Sequence, residues 1–69
     1  METFHLENKD FIELNHLLKA MGLSESGGMA KALIAEGRVS VNGAVELRKR
    51  CKIRKGDIVE FEGHAIAVK

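Results

Sequence analysis

The stretch Gly37-Arg38-Val39-Ser40-Val41-Asn42-Gly43, near the middle of the chain, separates the predicted helices from the predicted strands. Val39 and Val41 alternate with Ser40, a pattern typical of a strand with one buried face. Asn42-Gly43 is the strongest short-range signal for a hairpin, because both residues tolerate a positive φ. Gly37 is suited to ending a helix that comes before it. We therefore expect helices on the N-terminal side of this stretch and antiparallel strands on its C-terminal side.

The first helix is predicted to begin at Phe11 and to end at Gly22. Asp10 as N-cap, with Glu13 at the third helical position, is a variant of the capping box. Apolar side chains then recur at helical spacing. They form a predicted buried stripe of Phe11, Leu14, Leu17, Leu18 and Met21.

A second helix is predicted to begin at Ser24 or Ser26, since either serine can act as an N-cap. Its predicted buried stripe consists of Ala30, Leu33 and Ile34. The connection between the two helices is so short that they must be neighbours packed on each other.

Short strands bounded by turn residues are predicted elsewhere. They are a return strand at 44–47, strands at 58–61 and 64–68, and a short edge strand at 3–6. A free edge at 3–6 or 64–68 would be able to pair. The predicted fold class is α+β, with two packed helices followed by a small antiparallel β-sheet in one domain, residues 1–69.

The composition is that of a small folded protein. The chain has 69 residues, of which 45% are hydrophobic and 30% charged. A domain of this size has little room for a deep catalytic cavity. The apolar runs are too short for a membrane span, and the N-terminus lacks the pattern of a signal peptide. With Cys51 as the single cysteine, these features indicate a reducing, cytoplasmic setting and no membrane partner.

Charge is unevenly distributed, although the net charge is only +1. Residues 31–55 contain eight basic and two acidic residues, a net charge of +6, whereas the rest of the chain has three basic and eight acidic residues, a net charge of −5. Such an oriented field can attract a polyanion through its positive half.

The sharpest feature is the run of residues 48–54, here called the basic segment. Five of its seven residues are Lys or Arg: Arg48, Lys49, Arg50, Lys52 and Arg54. Arginine donates bidentate hydrogen bonds to phosphate. If the segment is extended, Arg48, Arg50, Lys52 and Arg54 lie on one side and form a basic stripe. A solvated surface run without a ligand is the alternative, but dense like charge destabilises a fold through self-repulsion.

The start of the second helix is a further candidate anion site. Ser26, Gly27 and Gly28 precede Lys31 by about one turn, and helix N-termini present free N–H groups to anions. A flexible cap without a ligand is the equal alternative. The spacing is not that of a phosphate-binding Walker loop.

Aromatic residues are scarce. The chain has three Phe, no Trp and no Tyr, and the predicted core needs the three Phe. Proteins that bind single strands stack bases on exposed aromatic side chains. The sequence therefore predicts no stacking platform, and if the chain binds RNA, contact is expected with the backbone and shape of the RNA.

Catalytic and metal sites are not predicted. The three histidines (His5, His16, His64) and Cys51 lack zinc-ligand spacing. Basic surroundings can lower the pKa of a thiol such as that of Cys51, but no partner His is placed by sequence, so we expect Cys51 to be a bystander. We expect no enzyme activity, no cofactor and no small-molecule substrate.

A resemblance to a known family covers roughly residues 11–61. It is carried by residues 18–23, Ser26, Ala30-Lys31, Ile34, Glu36-Gly37, Val39, Val41-Asn42-Gly43 and Gly56-Asp57-Ile58-Val59. Together these resemble the RNA-binding domain of ribosomal small-subunit protein S-four, a family that includes small stand-alone bacterial proteins. The resemblance implies two helices packed on a small sheet and binding to structured RNA of the ribosomal or transfer RNA type.

The resemblance also implies which residues face RNA. By position these are Ser26, Gly27, Lys31, Arg38 and the cations of the basic segment. Glu13-Leu14-Asn15 stands where the family usually has Arg-Leu-Asp, and Ser26-Gly27 where it has Ser-Arg. Each difference removes a positive charge from the usual RNA-facing surface.

Three functions follow in order of preference. The first is a non-catalytic module that binds phosphates of structured RNA. The second is a protein-interaction module whose basic stripe docks an acidic partner. The third is a small enzyme that uses Cys51 or His16.

Overall fold

The computed structural model describes all residues from Met1 to Lys69. Two α-helices are present, α1 (Leu14–Ala20) and α2 (Gly27–Ala35). The seven strands are β1 (Glu2–Phe4), β2 (Ile12–Glu13), β3 (Val39–Val41), β4 (Ala44–Val45), β5 (Lys52–Ile53), β6 (Ile58–Phe61) and β7 (His64–Val68). The predicted α+β class is confirmed. No helix has the length and apolar character needed to cross a membrane.

The main sheet has five strands in the order β1-β7-β6-β3-β4. All of its pairs are antiparallel except β1 with β7, which run parallel. The predicted free edge at 64–68 is wrong, because β7 lies between β1 and β6. The outer strands are β1, which overlaps the other predicted edge at 3–6 but spans Glu2–Phe4, and β4.

The core lies between the helices and one face of the main sheet. The helices contribute Leu14, Leu17, Leu18, Ala30, Leu33 and Ile34 to it. The strands contribute Val39, Ile53, Val59, Phe61, Ile66 and Val68, and Leu6 completes the cluster. The predicted stripes of both helices are confirmed except at Met21, which is half-buried against the core, and Phe11, which lies outside the helix.

Helix α1 begins three residues later than the capping box predicts. Its N-cap is Glu13, which makes no side-chain capping bond. Ile12 and Glu13 instead form β2, which pairs antiparallel with Lys52–Ile53 in a small second sheet. The N–H groups of Leu14 and Asn15 donate to the carbonyls of Cys51 (2.9 Å) and Lys49 (3.1 Å). A distant segment thus supplies the acceptors that a local cap would have supplied.

Helix α2 begins at one of its two predicted caps. The Ser26 hydroxyl accepts the N–H of Met29 at 3.1 Å. Ser24 is buried and donates its hydroxyl to the carbonyl of Ser26 at 3.1 Å. Gly22, with φ of +74°, ends the turn after α1 as predicted.

The predicted hairpin at Asn42-Gly43 is confirmed, with φ values of 52° and 85°. Its return strand is shorter than the predicted 44–47, ending at Val45. Beyond it the Glu46 carboxylate accepts the N–H of Arg48 at 2.9 Å, and the chain leaves the sheet.

Candidate nucleic-acid interface

The basic segment is held in place by backbone contacts to α1 and β2. Two of its carbonyls, those of Lys49 and Cys51, accept the first N–H groups of α1. Ile53 is fully buried in the core and pairs with Ile12. The charged side chains are therefore displayed from a backbone fixed at several points.

The segment is not extended over its whole length. A turn closed by the N–H of Cys51 and the carbonyl of Arg48 (3.1 Å) occupies its first half. The predicted single stripe of four cations is therefore wrong. Only Lys52 and Arg54 keep the expected alternation, since Ile53 between them points into the core.

Phe11 lies beneath these two cations. The Lys52 ammonium is 4.9 Å from the centroid of its ring, and the Arg54 guanidinium carbon is 5.7 Å away. Cation–π attraction acts over such distances. The helical pattern assigned Phe11 to the core, and no local signal predicts the pairing of β2 with β5 that places the ring here.

Arg48 is bound by the carboxylate of Glu46, which no sequence pattern marks as part of the site. Its Nε and Nη2 donate to the two oxygens of Glu46 at 2.9 and 3.0 Å. Hydrogen bonds from the side chain and backbone of Arg48 lower the pKa of Glu46 from 4.5 to about 2. The same pairing raises the pKa of Arg48.

Cys51 sits beside this ion pair and is half-buried. Arg48 Nη2 lies 3.6 Å from its sulfur. Burial and then the negative charge of Glu46 raise the pKa of the Cys51 thiol above its ordinary 9.0. The idea that basic surroundings activate this thiol is wrong, because desolvation and the Glu46 carboxylate outweigh Arg48.

A surface cavity of about 390 Å³ opens on the basic segment. It is lined by Arg48, Arg50, Cys51 and Lys52. No ion pair engages Lys49, Arg50, Lys52 or Arg54, whereas Arg48 is paired. The structure thus brings three of the predicted cations around one concave surface.

The other predicted residues lie on different elements. Ser26 and Gly27 begin α2, and Lys31 lies within it, half-buried. Arg38 precedes β3, forms ion pairs with Glu36 (3.5 Å) and Glu62, and covers the ring of Phe61 at 5.9 Å. No hydrogen bond or ion pair joins these four residues to the basic segment.

Metal-binding clusters of three or more His, Cys, Asp or Glu side chains are absent. His16 lies 3.8 Å from Glu13, and His64 lies 2.9 Å from Glu2. Neither histidine forms a hydrogen bond with Cys51.

Sequence comparison connects the chain to known proteins. Over 68 residues it is 56% identical to YbcJ of Escherichia coli strain K12, provisionally named an RNA-binding protein, covering 99% of this chain and 97% of that protein. Over 54 residues it is 41% identical to RlbA of Bacillus subtilis strain 168, provisionally named a ribosome maturation protein, covering 78% and 76% of the two chains.

Structural comparison agrees with the sequence. The solution structure of Escherichia coli YbcJ, described as revealing an αL motif involved in RNA binding, has a TM-score of 0.75 at 56% identity and covers 99% of this chain and 86% of YbcJ. Ribosomal protein S4e of Thermoplasma acidophilum shares the fold, with a TM-score of 0.68 at 22% identity, covering 84% of this chain and 31% of S4e. The profile of the S4 domain family matches residues 4–69, and the chain belongs to that family.

Proposed function

We propose that this chain is a non-catalytic RNA-binding module of the cytoplasm that recognises structured RNA of the ribosomal or transfer RNA type. Residues 1–69 act as one binding unit. The observation that carries the proposal is the set of four unpaired cations on an anchored backbone, two of which, Arg50 and Lys52, line the cavity of the basic segment. The S4 domain family and the provisional names of YbcJ and RlbA support it.

The cations are expected to contribute unequally to phosphate binding. Lys49, Arg50, Lys52 and Arg54 have no carboxylate partner, so their full charge is available to phosphates. Arg48 and Arg38 are engaged by carboxylates, which offset part of their charge. Ser26, Gly27 and Lys31 form a second, smaller contact at the start of α2.

Recognition of paired or folded RNA fits the placement of the aromatic side chains. Phe61 is buried, and Phe4 packs against the core. The ring of Phe11 is covered by Lys52 and Arg54. No row of free rings is available for stacking successive bases of a single strand.

Salt dependence of binding tests the proposal. A folded RNA hairpin is titrated at several salt concentrations with the wild type and with Arg50→Ala. Each lost phosphate contact should flatten the slope of log affinity against log salt by about one unit. Arg48→Ala should flatten it less, because Glu46 already offsets that charge.

Lys19→Ala is the matched control, since it removes an equal charge from the exposed side of α1. It should leave the slope unchanged. Equal slopes for wild type and Arg50→Ala would contradict the assignment. If the wild type binds no RNA but retains a protein partner after nuclease treatment, the acidic-partner function replaces this one.

A further inference from the structure

The cavity of the basic segment has the dimensions of a site for one small ligand. Its volume of about 390 Å³ falls at the lower end of the roughly 300–1,000 Å³ typical of such sites. Three of its four lining residues are cations. The long stems of Arg48, Arg50 and Lys52 also supply apolar surface, because methylene groups form most of each side chain. The lining thus combines charge for a phosphate with apolar surface for a ring.

The geometry of Arg48 favours stacking over phosphate binding. Glu46 occupies the Nε and Nη2 edge of its guanidinium, at 2.9 and 3.0 Å. That edge is one of the two through which arginine can donate a pair of bonds to a phosphate, and Nη2, which the second edge shares, also lies 3.6 Å from the Cys51 sulfur. Arg48 lines the cavity, its side chain is 77% exposed, and the flat faces of its guanidinium carry no hydrogen-bond donors. Guanidinium planes stack on unpaired RNA bases, and a plane held by a carboxylate loses little freedom when it does so.

The remaining walls are suited to the sugar–phosphate part of a nucleotide. Arg50 has no ion pair and no hydrogen-bond partner in its side chain. The Lys52 ammonium is held 4.9 Å from the centre of the Phe11 ring. Both side chains line the cavity and have no carboxylate partner, so both can bind a phosphate there.

We propose that this cavity accepts a single unpaired nucleotide that has turned out of an RNA helix, with its base on the Arg48 plane and its phosphate between Arg50 and Lys52. The inference rests on the proposed RNA-binding function. It adds the feature of the RNA that the protein recognises, an unpaired nucleotide turned out of a helix. In this arrangement Arg48 stacks on the base, and Glu46 is a positioning residue that holds Arg48 in place.

Two RNA hairpins that differ by one bulged nucleotide test this assignment. The wild type should bind the bulged hairpin about five- to tenfold more tightly, near the low end of the effect of one stacked base. Arg48→Lys keeps the charge but loses the plane, so the preference should disappear. Glu46→Gln frees the phosphate-gripping edge of Arg48, so affinity for the fully paired hairpin should rise and the preference should shrink. Lys49→Ala, a neighbouring cation outside the cavity, should weaken both complexes in parallel.

A fluorescent 2-aminopurine at the bulge gives a second readout. Its fluorescence should rise on binding because the base leaves its stack of RNA neighbours, and Arg48→Lys should reduce that rise. Equal affinity of the wild type for both hairpins, or a preference that survives Arg48→Lys, would overturn the inference and leave the proposed function standing. Failure to bind either hairpin would contradict the proposed function itself.

Discussion

Asn42 and Asp57 are joined side chain to side chain, with Asn42 Nδ2 donating to Asp57 Oδ1 at 3.0 Å. The Asn42 amide oxygen also accepts the N–H of Ile58 at 2.9 Å. The second oxygen of Asp57 accepts the N–H of Arg54 at 2.8 Å. These bonds connect the first hairpin turn, the start of β6 and the end of the basic segment.

Replacement of Asn42 should therefore destabilise the fold in two separable ways. Asn42→Ala removes both side-chain bonds and places alanine at a positive φ, so we expect a loss of about 2 kcal/mol in the free energy of unfolding. Asn42→Gly tolerates the φ and loses only the bonds, with an expected loss of about 1 kcal/mol. Urea denaturation measures both. Equal losses would show that the backbone conformation contributes nothing.

Glu46 should make stability depend on pH in the acid range. Its pKa is lowered from 4.5 to about 2 in the folded chain, so the ionised form stabilises the fold above the ordinary value. This contribution is lost as the pH falls from 4.5 toward 2. Urea midpoints of wild type and Glu46→Gln should differ more at about pH 6 than at about pH 3. A constant difference would contradict the role of the ion pair with Arg48.

Cys51 should react slowly with alkylating agents. Burial and the Glu46 charge raise the pKa of its thiol, which leaves less thiolate at neutral pH. The rate with iodoacetamide should be below that of free cysteine, and unfolding in urea should remove the difference. A folded chain that reacts faster than free cysteine would revive the enzyme hypothesis.

Gly27→Ala separates helix stability from anion binding at the start of α2. A Cβ at this position meets nothing within 4 Å, so packing does not require glycine. The substitution should raise the thermal midpoint slightly, since alanine is the better helix former by up to about 1 kcal/mol. If a phosphate approaches this backbone, RNA affinity should fall despite the added stability. Unchanged affinity would remove Gly27 from the interface.

Local patterns predicted most of the secondary structure. The hairpin at Asn42-Gly43 follows from the backbone preferences of those two residues, and the cap at Ser26 is one of the two serine caps that the local sequence allows. The capping box at Asp10 failed because the pairing of β2 with β5 offered α1 acceptors from the basic segment. Competition between a local and a distant partner cannot be judged from the local sequence.

The sequence predicted which charged residues belong to the candidate site but not how their side chains are arranged. The concentration of Lys and Arg in residues 48–54 identified the surface, and the mean charge of a segment is visible in any sequence. Phe11 and Glu46 were missed, since their contacts to Lys52 and Arg48 depend on where the chain turns.

The sequence by itself determined the α+β order, the buried stripes of the helices and the location of the positive charge, because each depends on periodicity or composition within a short window. Only the tertiary structure decided which cations remain unpaired, which are held by carboxylates and which surround a cavity. Those properties depend on distances between side chains brought together by strand pairing and turns, and charge interactions weaken steeply with such distances.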